Sequence, residues 1–70
     1  MSEKSIRHIA KKVREFRDDR RLTQKQLADK SGLSTNYISR IERADVTISI
    51  DTLEKLAKAL KVNSSDILHF

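Results

Sequence analysis

The sequence predicts an all-α fold of five short helices, and three observations predict it. The 70 residues contain one Gly and no Pro, too few turn formers for a β fold. Apolar residues recur at steps of three and four rather than in alternation. Ser or Thr stands ahead of most of these stripes, where a helix start needs a side-chain acceptor.

The elements follow in order. Ile6, Ile9, Ala10, Val13 and Phe16 form one apolar stripe and predict a first helix over 6–21. Thr23 is an N-cap with Gln26 at the capping-box spacing, opening a second helix over about 24–31 that turns Leu27 and Ala28 inward. Gly32 follows it, where the backbone needs the left-handed region. Ser34 caps a third helix over about 35–43, with Ile38 and Ile41 on its apolar side. Ala44–Ile48 reads as a loop. Ser49 caps a fourth helix over about 50–61, with Ile50, Leu53, Leu56, Ala57 and Leu60 on one face. Ser64 caps a short fifth helix holding Ile67 and Leu68. No repeat or linker divides the chain, so residues 1–70 are expected to form one domain.

Composition then limits function. There is no Cys, hence no disulfide or thiolate site, and the two His, at 8 and 69, fall short of a metal cluster. Both are expected at the surface, and neither metal nor cofactor is expected. No nucleophile, base and acid set is in view, so an enzyme is not expected. The longest apolar runs are two residues, and the first dozen residues lack a signal-peptide core, which makes the cytoplasm the expected location with no membrane partner. The first helix is basic and amphipathic, as a membrane-surface helix would be, yet its apolar stripe is what the core of this fold needs. The net charge is +5, unevenly placed. Residues 1–43 hold 12 Lys and Arg against 6 Asp and Glu, whereas 44–70 hold 3 against 4. The basic field of the first two-thirds suits a polyanion, or simple solubility.

The segment 23–43 carries the sharpest signal. Two short helices are separated only by Gly32, Leu33 and Ser34, the spacing of a helix-turn-helix at about 24–43. Projected from Asn36 at about 100° per residue, Arg40 lies near 40°, Arg43 near −20°, Ser39 near −60° and Thr35 near −100°, opposite Ile38 and Ile41 at about 200° and 140°. The third helix thus has a buried back and a polar front of Asn36, Ser39, Arg40 and Arg43, with Thr35 at its edge. Asn pairs bidentately with adenine, Arg with guanine, and Thr offers a hydroxyl or a methyl. An ordinary solvated helix face has the same appearance.

The runs Thr23-Gln24-Lys25-Gln26-Leu27-Ala28, Gly32-Leu33-Ser34 and Tyr37-Ile38-Ser39-Arg40-Ile41-Glu42-Arg43 resemble the Cro/phage-repressor (XRE) helix-turn-helix family. Ser49 to Val62 resembles that family's fourth helix, and the likeness covers about residues 6–68. Within the family, Tyr37-Ile38-Ser39 with Ile41-Glu42-Arg43 is similar to controller proteins of restriction–modification systems. The resemblance implies a lambda-repressor-like DNA-binding domain and a transcriptional regulator. It implies base contacts by Thr35, Asn36 and Arg40. It places phosphate contacts at Thr23, Gln24, Lys25, Ser34, Tyr37, Ser39 and Arg43, although the Tyr37 ring equally suits packing between helices. It also implies an ion pair between Arg17 and Glu42 that ties the first helix to the end of the third. Ala44 stands where the family usually has Gly, and Ile48 where it often has Pro, so the path of the loop 44–49 stays open.

A homodimer on double-stranded palindromic DNA is expected. Ile67, Leu68 and Phe70 close the chain, and a domain this small is not expected to cover all three, which marks them as the dimer interface. No small-molecule ligand is expected. The competing class is a protein-interaction module, of antitoxin or anti-repressor type, on the same fold. Such a module would expose apolar residues on the front of the third helix, where this chain has Asn, Ser and Arg.

Overall fold

The computed structural model describes residues 1–68; His69 and Phe70, including the interface role expected of Phe70, lie outside the described residues. Five helices follow one another: α1 Glu3–Asp19, α2 Gln24–Ser31, α3 Thr35–Glu42, α4 Ile50–Leu60 and α5 Ser64–Leu68. No strand occurs among the described residues.

Local chemistry sets the helix starts. Ser2, Thr23, Ser34 and Ser49 are N-caps, each side-chain oxygen accepting from the N–H three residues on. At Thr23 the reciprocal bond from its own N–H to Gln26 Oε1 completes a capping box. The Ser2 cap starts α1 three residues before the apolar stripe does. Ser64, expected to cap α5, is instead its first residue. Asn63 stands before the helix, its N–H donating 2.8 Å to the Asp66 carboxylate.

The helix ends have a common device. Gly32 ends α2 at φ 75°, but Arg21, Ala44 and Lys61 also hold positive φ, at 54°, 58° and 58°, just past α1, α3 and α4. After α3, the Asp45 N–H donates to Arg40 O at 2.9 Å and the Ala44 N–H to Ile41 O at 3.0 Å. This is the paired closure of a Schellman motif with alanine in the left-handed position. The Arg21 and Leu22 N–H groups close α1 on Asp18 and Arg17 in the same way.

The core gathers one stripe from every helix. Val13, Leu27, Ile38, Leu56, Leu60 and Ile67 have no exposure, and each such side chain stabilises the fold by about 1.5–3 kcal/mol. Ala28 is buried in the same core cluster. Three expectations are corrected here. Ile67 is fully buried in the monomer, because α5 folds back onto α1 and α4; it is a core residue and cannot serve a dimer contact. Leu68 beside it is half-buried and packs against the same core. Ile50, assigned to the inner face of α4, is 67% exposed. It is the first residue of the helix, at the rim of the core, and Thr52 occupies the buried place. His8, expected at the surface, is half-buried.

The 44–49 connection alternates. Val46 and Ile48 turn in against Ile6, Ile9 and Ile41, while Asp45, Thr47 and Ser49 face out. The loop therefore acts as an edge of the core, and Asp45 borders the C-terminal end of α3.

Candidate nucleic-acid interface

The position of α3 depends on one buried polar node. Arg17 on α1 donates from Nε to Glu42 Oε2 at 2.7 Å and from Nη2 to Glu42 Oε1 at 2.9 Å. Its remaining nitrogen, Nη1, donates to the Leu22 carbonyl at 2.8 Å. Gln24, the first residue of α2, adds a donor to Glu42 Oε1 at 3.2 Å. The Glu42 side chain is only 4% exposed and that of Arg17 14%. A carboxylate at a helix C-terminus is disfavoured by the helix dipole, and here three donated bonds offset that. The Glu42 hydrogen bond holds the Arg17 guanidinium above its ordinary value, with burial opposing. The node joins α1, the α1–α2 turn, the start of α2 and the end of α3.

On the other side of α3, Ser34, Thr35, Asn36, Arg40 and Arg43 are exposed, whereas Ile38 and Ile41 are buried. Tyr37 is half-buried with its ring against the core, and Ser39 is half-buried and accepts from Arg43 Nη1 at 2.8 Å. The Thr23 and Ser34 hydroxyl oxygens accept as caps, which leaves each O–H able to donate outward. The Gln24 amide is engaged with Glu42. Lys25 is exposed beside Asp29, 3.5 Å away. The capping box of α2 uses the Gln26 N–H, which leaves the first-turn N–H groups of Gln24 and Lys25 directed out of the helix end.

Three features of the site escaped sequence reasoning. Gln24 shares Glu42 with Arg17. The Leu22 carbonyl takes the third arm of Arg17. Asp45, outside the helix, lies beside both Arg40 and Arg43. The reversal at Ala44 produces that last contact, and nothing in the residue type of Ala44 signals it. Among the described residues no group of His, Cys, Asp and Glu is placed to hold a metal ion, and no helix is long and apolar enough to cross a membrane.

Two short helices at a Gly turn, a buried node fixing the second of them, and a polar and cationic front on that helix define the class of helix-turn-helix DNA-binding regulators. The profile of the helix-turn-helix family matches residues 13–67, and the chain belongs to that family. Its relatives include the immunity repressor of Bacillus phage phi105, 40% identical over 60 residues, 86% of this chain and 42% of the repressor. The control protein C.BamHI of Bacillus amyloliquefaciens is 41% identical over 63 residues, 89% of this chain and 78% of that protein. Among solved structures, the restriction–modification controller protein C.AhdI of Aeromonas hydrophila superposes with a TM-score of 0.86 at 31% identity, covering 89% of this chain and 94% of that one. The chain thus spans less than half of the phage repressor but most of the controller proteins.

Proposed function

We propose that this regulator reads duplex DNA sequence through α3 and acts as a homodimer on a palindromic operator in the cytoplasm, without a small-molecule ligand. The observation that carries this reading is the exposed set Thr35, Asn36 and Arg40 on a helix whose opposite side is locked by the Arg17–Glu42 node. A helix read base by base must be rigid, because an angstrom of slack at its root moves every base contact.

Thr35, Asn36 and Arg40 are assigned to base edges, by the bidentate chemistry of Asn with adenine and Arg with guanine. Thr23, Gln24, Lys25, Ser34, Tyr37, Ser39 and Arg43 are assigned to phosphates, which fix register without reading sequence. For Gln24 the backbone N–H at the helix start is the donor, since its side chain supports Glu42. A two-fold dimer would set two α3 helices about 34 Å apart, one turn of DNA. A protein-binding role on the same fold is disfavoured by the polar front of α3. The two large hydrophobics that stand exposed among the described residues are Met1 and Ile50, neither of them on α3.

Selection of bound sites from random duplex DNA, followed by single substitutions, tests the assignment. Arg40→Ala should cost about 1–3 kcal/mol on the selected site and relax preference at one base pair. Arg43→Ala should weaken all duplexes alike. Equal loss on every duplex for Arg40→Ala would place base reading elsewhere.

A further inference from the structure

We infer that Asp45 is a specificity-determining residue: its carboxylate holds Arg40 from the Nε side and partly neutralises Arg40 and Arg43, so that Arg40 is presented to a base edge rather than released to phosphates. This rests on the reading of Arg40 as a base contact. The geometry is local and fixed by backbone. Arg40 Nε lies 3.7 Å from Asp45 Oδ2, and Arg43 Nη2 lies 3.9 Å from the same oxygen. Arg40 Nη2 also donates to the Asp45 carbonyl at 3.4 Å. One carboxylate oxygen is therefore shared by the two cations at the tip of α3.

Asp45 cannot drift from this place while α3 is intact. Its N–H is bonded to the Arg40 carbonyl at 2.9 Å, across the left-handed Ala44. The same turn that ends the helix thus delivers the carboxylate to the side chains of the last turn.

The contacts are wet. The side chains of Arg40, Arg43 and Asp45 are 45%, 59% and 62% exposed, and pairs of this kind add little to stability. Asp45 therefore acts through orientation and charge rather than through stability. Against an arbitrary duplex, Arg40 and Arg43 would be drawn to phosphates without regard to sequence. Asp45 opposes this twice, by competing for both guanidiniums and by repelling the phosphates beside them. A guanine edge offers two aligned acceptors to the Nη groups while Nε stays on Asp45, so the specific complex keeps a contact that pulling Arg40 to a phosphate must break. The acid thus lowers non-specific affinity more than specific affinity.

The experiment measures binding of the full chain to its selected duplex and to a scrambled duplex of equal length, at one salt concentration. Asp45→Asn removes the charge while keeping size, and at an exposed loop position it leaves the core untouched. It should tighten binding to the scrambled duplex about threefold and to the selected one less than twofold, so that discrimination falls. Asp45→Glu should retain most of the discrimination. Glu54→Gln, on α4, makes the same change in net charge at an exposed acid away from α3 and should leave the ratio between duplexes at its starting value. An unchanged ratio in Asp45→Asn overturns the inference. So does an equal shift in Glu54→Gln, which would make the effect one of net charge alone. A change in the selected base with scrambled binding unaltered also overturns it, because Asp45 would then be a reader itself. Arg40→Ala measured in parallel separates the two failures. If it relaxes one base pair while Asp45→Asn does nothing, base reading by Arg40 stands and only the role of Asp45 falls.

Discussion

Arg17 and Glu42, 25 residues apart in the chain, meet in a two-pronged hydrogen-bonded ion pair with N–O distances of 2.7 and 2.9 Å. The planar guanidinium matches the carboxylate fork, and the pair sits under α3 rather than on the surface. Its effect is to give α3 one orientation relative to α1. Helices packed only by aliphatic side chains can rotate and slide with modest loss; a forked bond does not allow this.

Breaking one half of this pair should therefore be severe. Glu42→Ala leaves the Arg17 charge largely buried without its acceptor, a loss of about 3–5 kcal/mol. In a domain of this size each kcal/mol lowers the melting temperature by about 4–8 °C. Arg17→Lys keeps the charge but not the fork and should lose less. A double-substitution cycle in denaturant measures the coupling, and a coupling indistinguishable from zero would remove the node from the account.

The positive-φ helix ends allow opposite substitutions with opposite expected signs. Gly32 has nothing within 4 Å of the place a Cβ would occupy, so Gly32→Ala meets no neighbour and loses stability only through its φ of 75°, by about 1 kcal/mol. Ala44 already bears that strain at φ 58°. Ala44→Gly should relieve it and raise stability by up to about 1 kcal/mol. Thermal or urea unfolding of both variants reads the two signs. A loss of stability in Ala44→Gly would show that the half-buried methyl contributes more than the backbone strain removes.

Helix starts were legible in the sequence because their chemistry is local: Thr23, Ser34 and Ser49 stand beside the stripes they cap. Helix ends were legible only at Gly32. Arg21, Ala44 and Lys61 adopt the same left-handed geometry, and their residue types carry no mark of it. Periodicity locates the core but not its rim and so puts Ile50 inside, while the small size of the domain and the place of Ile67 near the chain end put that residue outside. The first belongs to a helix end that projects past the core, and the second to a short helix that doubles back. At the site, the angular projection of α3 separated Asn36 and Arg40 from Ile38 and Ile41. The place of Asp45 was hidden because it depends on a chain reversal rather than on helical spacing.

Salt should control binding steeply. The basic excess belongs to residues 1–43, which include the whole of α1, α2 and α3. A dimer that neutralises about 6–8 phosphates should show log K falling against log salt with a slope of about −5 to −7. A titration on duplex DNA between low and physiological salt measures it. A slope near zero would mean that phosphate neutralisation does not drive binding.

The burial of Ile67 divides the C-terminal apolar residues into two roles that a pair of substitutions can separate. Ile67 has no exposure and touches the core beneath α1 and α4. Ile67→Ala removes buried methylenes and leaves a cavity, at a loss of about 2–5 kcal/mol. Much or all of the folded population should be lost, with DNA binding lost in proportion. Leu68 is half-buried on the same short helix, with part of its surface turned to solvent. If the proposed dimer uses that surface, Leu68→Lys should lose far less stability, because the long lysine stem can follow the remaining apolar contact while its charge reaches water. Its main effect should be on association, since a two-fold contact would bring two new charges together. Sedimentation and thermal unfolding on the same samples distinguish the roles. Leu68→Lys is expected to remain folded, to sediment as a monomer and to lose most of its affinity for a two-half-site duplex. A folded variant that still sediments as a dimer would move the interface away from α5, and the exposed Ile50 at the start of α4 would be the next residue to substitute.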